Sequence, residues 1–430
     1  MLFQRLRGTK DIYGSEAALF ERIERAARET FYLFGFEALH TPILEEKQLY
    51  TRALGSETDV VQKEMYAFTD RSETQVALRP EGTAGVVRAY LENNFDKTKG
   101  LCKFFYGGPM FRSERPQAGR LREFHQIGVE QLGTESPYAD AETIQCLAFF
   151  LNRAGVHDFQ LKMNNLGTFD ERQKFQGVLR EYFKPHVGAR FTAPALCDDC
   201  QRRFEKNVFR ILDCKNESCR KIIQKSPIIS DYLTTESKDH FATVLAALNR
   251  VGAHGRAPLQ YAIDPYMVRG LDYYTKTVFE VSHPKLGSQD AVAAGGRYDQ
   301  LIETFGGPSL GAVGFAVGVE RLVICMTPEE KNAEWQNCVF IATLGDAAFQ
   351  KGFELLTDLR SQGIPCAMDF HSKSLKSLMR SADKNKSRAV IILGDEELQE
   401  KKFVLKDMEK GTQEKFEMEQ AVNILRARVC

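Results

Sequence analysis

The sequence predicts an α+β protein in which strand-rich core segments are interrupted by a helical insertion and followed by a small α/β domain. Three observations predict it. Residues 104–130 read as two strands joined by a long charged loop. From about Gly167 to Val251 the pattern turns helical and charged and carries a cysteine cluster. Beyond Trp335, strand-like apolar runs at 338–344, 364–370 and 389–393 alternate with helical stretches.

Composition sets the bounds. A chain of 430 residues has room for two or three domains, and 43% hydrophobic with 27% charged residues is ordinary globular composition. The formal net charge of zero argues against general electrostatic adhesion to nucleic acid, so any RNA contact must use local basic patches. The N-terminus MLFQRLRGTK lacks the apolar stretch of a secretory signal, and the longest apolar run, 310–326, is broken by Glu320 and Arg321. A cytoplasmic protein with no membrane association is expected. Ten scattered cysteines fit reduced thiols better than a disulfide framework.

Residues 7–14, RGTKDIYG, form a polar, turn-prone lead-in to a helix from about Glu16 to Phe34, with Ser15 as its N-cap. Leu19, Phe20, Ile23, Ala27, Phe31 and Phe34 keep helical spacing along one face. Residues 36–43 read as a strand, and Pro42 marks it as an edge or a bulge. Short strands at 65–69 and 75–78 precede Arg79, Pro80, Glu81, Gly82 and Thr83, which lead into a helix to about Asn94. Taken singly, Thr83 is an N-cap and Glu81 a carboxylate favoured by a helix N-terminus.

In the central hairpin Phe124, Gln126, Gly128 and Glu130 share one face of the return strand, while His125, Ile127 and Val129 share the other. Hairpin loops usually take about two to five residues. Here nine lie between Arg112 and Arg122, among them Glu114, Arg115, Gln117 and Arg120. Arginine forks onto a phosphate, phenylalanine covers a base and a carboxylate accepts from an N–H group, so the pattern suits an anionic, planar ligand. For any one of these residues alone, a solvated surface hairpin is the simpler reading.

A helix at 139–154 and a strand at 159–165 follow. In the insertion, Cys197, Cys200, Cys214 and Cys219 are separated by two, thirteen and four residues, a spacing compatible with a tetrahedral zinc site. Four reduced thiols without metal are the alternative. Core-like strands resume around Pro258. The stretch 266–281, YMVRGLDYYTKTVFEV, reads by itself as a bend with Asp272 capping amides and half-buried tyrosines. Residues 291–294 pair with 277–281, and Gly295, Gly296, Arg297 and Tyr298 open a helix. A small-residue strand at 311–317 feeds another helix near Gly318. Arg321 sits in its first turn, where the helix dipole disfavours a cation unless an anion is near. Residues 327–335 read as a linker. In the last domain Lys373, Lys376, Arg380 and Lys384 fall near one helical face, with Leu375, Leu378, Met379 and Ala382 on the other.

The stretch FRSERPQAGRLREFHQIGVE resembles motif 2 of the class II aminoacyl-tRNA synthetases, in the form found in the histidyl-tRNA synthetase family. RPEGTA, RGLDYY, GGRYD and GVERL stand around it in the order the family has them. The resemblance implies an antiparallel-sheet catalytic core over 1–166 and 258–327, a helical insertion over 167–257 and an anticodon-binding α/β domain over 335–430. It implies ATP-dependent ligation of L-histidine to tRNA(His) through a histidyl-adenylate, with Mg²⁺ accompanying ATP, by a homodimer joined through a motif 1 helix and strand. Carried over, Arg269 and Arg112 act at the α-phosphate, Phe124 stacks on adenine and Arg321 holds the terminal phosphate. Glu81, Thr83 and Gln126 receive the substrate ammonium. Glu130, Tyr273 and Tyr274 form the imidazole pocket, and Arg115 and Gln117 contact the tRNA acceptor end. The competing reading is a histidine-sensing regulatory paralogue that partners an ATP phosphoribosyltransferase without charging tRNA. Such paralogues typically lack the C-terminal domain and preserve the ATP-site arginines poorly, and this chain has both. A class II enzyme for another amino acid is disfavoured by RGLDYY together with Glu130.

Overall fold

The computed structural model describes residues 3–56, 58–117, 119–188, 195–250, 252–253, 257–287, 291–327, 339–371 and 374–428. The chain divides into two compact units, Met1–Ala333 and Glu334–Cys430.

The first unit is organised on an eight-stranded sheet, which runs in the order Glu37–Ala38, Cys102–Phe111, Glu123–Leu132, Ala312–Gly318, Ala291–Arg297, Thr275–Ser282, Gln160–Asn165, Tyr261–Ile263. The six inner strands pair antiparallel and the two edge strands pair parallel. One face is covered by the helices Ser15–Leu33, Pro137–Arg153 and Thr235–Arg250, which bury Phe31, Leu147 and Leu248 against Ile127, Val129, Phe279 and Phe315 of the strands. Strand alternation does the rest, since residues one position along from Ile127 and Val129 must face the other way. That second face stays open, and Phe124, Gln126 and Glu130 line a cleft there.

Several local expectations are corrected. The first helix runs Ser15–Leu33, so Ser15 is its first residue and Gly14, at φ 60°, occupies the cap without a side-chain bond. The strand expected over 36–43 is only Glu37–Ala38, beside a separate strand Leu44–Glu46 in a three-stranded sheet with Gln75–Leu78 and Ala67–Thr69. Pro42 lies between them, where a residue without an N–H cannot carry pairing onward. The helix after RPEGTA is Thr83–Glu92, ended by Asn94 in the left-handed region. Gly295 and Arg297 do not open a helix. They finish the strand Ala291–Arg297, and a short helix forms only at Leu301–Thr304. A side chain at Gly295 would strike Phe279 and Phe315, so this glycine serves strand packing rather than approach to a ligand.

The insertion is helical, with Phe169–Phe183, Asp198–Lys206 and Glu217–Ile223 packed around a core of its own that includes Phe175, Leu179, Ile211 and Ile223. The C-terminal unit has a five-stranded sheet in the order Cys366–Met368, Val339–Thr343, Ala389–Leu393, Lys402–Asp407, Gln413–Glu417. The first three are parallel and the last two antiparallel. Its helix Leu375–Lys384 buries Leu378 and Ala382 and exposes Lys376, Arg380 and Lys384; Leu375, expected on the apolar face, is exposed. Lys373, most of the 327–335 linker and Cys338 lie outside the described residues. Among those described, no helix is long and apolar enough to cross a membrane, and the cysteines are free thiols.

Candidate active site

The open face of the large sheet holds a cleft of about 980 Å³. Ten residues singled out from the sequence line it: Glu81, Thr83, Arg112, Phe124, Gln126, Glu130, Arg269, Tyr273, Tyr274 and Arg321. They come from four separated stretches, and the sheet order explains the convergence. Glu123–Leu132 lies between Cys102–Phe111 and Ala312–Gly318, which places the hairpin beside the strand leading to Arg321.

At the enclosed end, Glu81 accepts from the Thr83 and Ala84 backbone amides at 2.7 and 2.9 Å. Thr83 is therefore not the N-cap: Glu81 satisfies the first-turn amides, and the threonine hydroxyl donates instead to Glu130 Oε1 at 2.7 Å. Tyr298 donates to the other Glu130 oxygen, and Tyr106 lies 3.4 Å from Oε1. Burial pushes the Glu130 carboxyl up to about 8, against these hydroxyls, which favour the ionised form. Burial likewise raises Glu81, opposed by its two amide bonds. Backbone must come close for this packing. A Cβ at Gly314 would collide with Glu130 Oε2, and one at Gly82 with the ring of Tyr106. Tyr273 and Tyr274 stack obliquely with centroids 4.7 Å apart, and Tyr273 meets Tyr298 edge-on at 5.7 Å. Gln126 Oε1 is buried without a hydrogen-bond partner, as is Arg269 Nε.

Three guanidinium groups, Arg112, Arg269 and Arg321, line the same cleft beside carboxylates that include Glu114 and Glu280. Arg112 donates to the Pro80 carbonyl at 2.9 Å and lies over Phe124 with 5.4 Å to the ring centre. Arg120 pairs with Glu114 at 3.0 Å, and Arg112 reaches the same carboxylate at 4.0 Å. Arg321 is held by the Gly119 and Ala291 carbonyls at 3.1 and 2.6 Å. Burial lowers its pKa, and the charges of Arg120 and Arg112 lower it further, while Glu114 works the other way. Arg269 is paired with Glu280 of the strand Thr275–Ser282; burial works to lower its pKa, and Glu280 together with Tyr274 and Asp213 more than offsets that.

Arg115 and Gln117 do not join the cleft. Both are exposed on the hairpin loop, where Gln117 and Arg120 bridge each other. The loop is anchored from outside, since the Arg122 amide donates to the Gly8 carbonyl at 2.7 Å. The four cysteines do come together, with their sulfurs within 4.8 Å of one another beside the cleft.

Tyr106, Tyr298, Glu114 and Glu280 also belong to this site, though the sequence alone does not single them out. Tyr298 had a signal in the same motif as Arg297, but the glycines ahead of it suggested a turn. Arg297 is itself outside the cleft. It is fully buried and donates to Asp140 at 2.7 Å, Asp299 at 2.8 Å and the Thr134 carbonyl at 3.0 Å, while the second Asp140 oxygen meets His240 at 2.9 Å.

Comparison with known proteins shows the family. The family model described as histidyl-tRNA synthetase matches residues 8–182 and 198–322, and an anticodon binding domain matches 338–428. The histidine–tRNA ligase of Thermodesulfovibrio yellowstonii is 40% identical over 428 residues, covering 100% of this chain and 99% of its own. That of Syntrophotalea carbinolica is 42% identical over 414 residues, 96% of each chain. The crystal structure of apo S. aureus histidyl-tRNA synthetase superposes with a TM-score of 0.79 at 32% identity, covering 98% of this chain and 99% of that one. A Bacillus halodurans structure described as an ATP phosphoribosyltransferase regulatory subunit/histidyl-tRNA synthetase shares the fold, at a TM-score of 0.66 and 21% identity. The chain belongs to the histidyl-tRNA synthetase family, and with it to the class II aminoacyl-tRNA synthetases.

Proposed function

We infer that this chain ligates L-histidine to tRNA(His) in two steps at the cleft. In the first, a histidine carboxylate oxygen bonds to the α-phosphorus of ATP as the bond to the β-phosphate oxygen breaks, giving histidyl-adenylate and pyrophosphate. In the second, a hydroxyl of the 3′-terminal ribose attacks the activated carbonyl, loses its proton, and AMP leaves. Neither step requires a protein nucleophile, so rate must come from positioning and from charge placed where the phosphates develop it.

The observation that carries this reading is the convergence on one cleft of the guanidinium groups of Arg112, Arg269 and Arg321 with two buried carboxyls, Glu81 and Glu130. A triphosphate suits the first and an amino acid with two nitrogen-bearing groups the second. Arg112 and Arg269 flank the α-phosphate, Arg321 takes the γ-phosphate and Phe124 stacks on adenine, with Mg²⁺ arriving bound to ATP. Glu81, Thr83 and Gln126 receive the ammonium, a role supported by the unpartnered Gln126 oxygen. Glu130, Tyr273 and Tyr274 face the imidazole. Such a pocket leaves buried groups unpaired when a wrong side chain enters, which discriminates by about 10⁴ or more and makes editing unnecessary. Arg115 and Gln117, exposed on the hairpin loop, contact the acceptor end of tRNA in this reading, and the C-terminal unit binds its anticodon.

The enzyme works as a cytoplasmic homodimer in this reading. Support for pairing comes from the small sheet near the N-terminus, where Leu44 and Phe68 remain 50% and 49% exposed and Ile43 is 41% exposed. The regulatory alternative is disfavoured by the matched anticodon-binding segment and the arginine cluster together. ATP-dependent charging of tRNA(His) with labelled histidine tests the function. Adenylate formation without any transfer to tRNA would overturn the second step.

A further inference from the structure

Cys197, Cys200, Cys214 and Cys219 bring four sulfurs within 4.8 Å of one another. We propose that they hold one zinc ion in a tetrathiolate site, and that the ion staples the insertion to the loop carrying Tyr273 and Tyr274. Zinc–sulfur bonds of about 2.3 Å in a tetrahedron put the sulfurs about 3.8 Å apart. Cys197 and Cys214 stand at 3.8 Å. A disulfide is excluded, because its sulfurs sit at about 2.0 Å. A four-iron cluster is excluded in the other direction, since its cysteine sulfurs ring a larger body.

The local backbone is built to support thiolates. Cys197 caps the helix Asp198–Lys206, and Cys219 lies in the first turn of Glu217–Ile223. The Cys197 amide donates to Cys219 Sγ at 3.2 Å and the Asn216 amide to Cys214 Sγ at 3.4 Å. Cys200, Cys214 and Cys219 are buried, so water is kept from most of the site. Packing alone is an insufficient explanation, because apolar side chains would fill this core without orienting amides at sulfur.

The residues between Cys200 and Cys214 are the rest of the helix Asp198–Lys206 and a 3-10 turn at Val208–Ile211, a segment that the ion closes at both ends. Within it, Asn207 donates to Asp272 at 2.9 Å and Arg210 pairs with Asp59 at 3.1 Å. Asp272 immediately precedes Tyr273 in the cleft wall. Metal at the cysteines thus fixes the position of a segment that leans on the binding pocket.

The site is independent of the synthetase reading. Elemental analysis of full-length protein purified without chelator should give about one zinc per chain. Replacement by cobalt(II) should produce the visible bands and sulfur-to-cobalt charge transfer of a tetrahedral tetrathiolate. Cys214→Ser should lower bound zinc at least tenfold, while Cys366→Ser, in the other unit, leaves it unchanged. Stripping the zinc should expose the segment between Cys200 and Cys214 to limited proteolysis. If Cys214→Ser fails to fold, the cobalt spectrum of the unmodified protein still decides. Metal-free protein whose cysteines react with a thiol reagent at the same rate with and without added zinc would overturn the proposal. That result with normal histidine charging sinks the metal site alone, and bound zinc without charging sinks the enzyme alone.

Discussion

Thr83 donates its hydroxyl hydrogen to Glu130 across 2.7 Å, tying the first turn of a helix to a strand 47 positions later in the chain. With Tyr298 on the second oxygen, the carboxyl at the end of the cleft is surrounded by hydroxyls rather than by a cation. Burial therefore raises this carboxyl, with only the hydroxyl bonds working the other way.

Glu130 should reveal itself in the pH dependence of stability of the ligand-free protein. Its carboxyl is raised from 4.5 to about 8 in the fold, so the folded state keeps a proton that the unfolded chain releases. Stability from this group is fully present below the lower value and declines as pH rises through the higher one, by at most about 1.4 kcal/mol per pH unit. Glu130→Gln should remove that slope. Urea denaturation at a series of pH values checks it, and parallel profiles for the two proteins would show that Glu130 ionises as an ordinary carboxylate.

Arg269 should govern the first chemical step. Removing one preorganised donor from a developing charge costs about 10²- to 10³-fold in rate, so Arg269→Ala or Arg269→His should slow histidine-dependent pyrophosphate exchange by that factor. The pairing with Glu280 already holds the guanidinium at the cleft. Near-normal exchange in either variant would remove Arg269 from this role.

Arg297 should matter to stability. Arg297→Met leaves Asp140 and Asp299 without their shared cation, and breaking such a buried pair costs about 3–5 kcal/mol. Thermal unfolding should start well below that of the unchanged chain. An unchanged transition would mean that His240 and Lys276 neutralise the two carboxylates unaided.

Much of this was legible in the sequence because it rests on alternation and order. The return strand of the hairpin reads directly as two faces, and the structure buries Ile127 and Val129 on one side while Phe124, Gln126 and Glu130 line the cleft on the other. The strand Ala389–Leu393 and the helix before Arg153 were equally plain from apolar runs and spacing. What failed was local and depended on distant partners. Thr83 looks like a cap until Glu81 is seen taking the amides, and Arg297 looks like part of a helix start until Asp140 is placed opposite it. Tyr106 carries no pattern of its own, and Tyr298 stands in GGRYD, whose glycines point to a turn rather than to a site. They become site residues only because strands far apart in sequence lie side by side and glycines at 82 and 314 let them close around Glu130.

ATP–pyrophosphate exchange measured with each of the twenty amino acids tests the shape and charge of the cleft most directly. Exchange with histidine alone is the predicted result. Exchange driven equally by another amino acid, or by none, would contradict it.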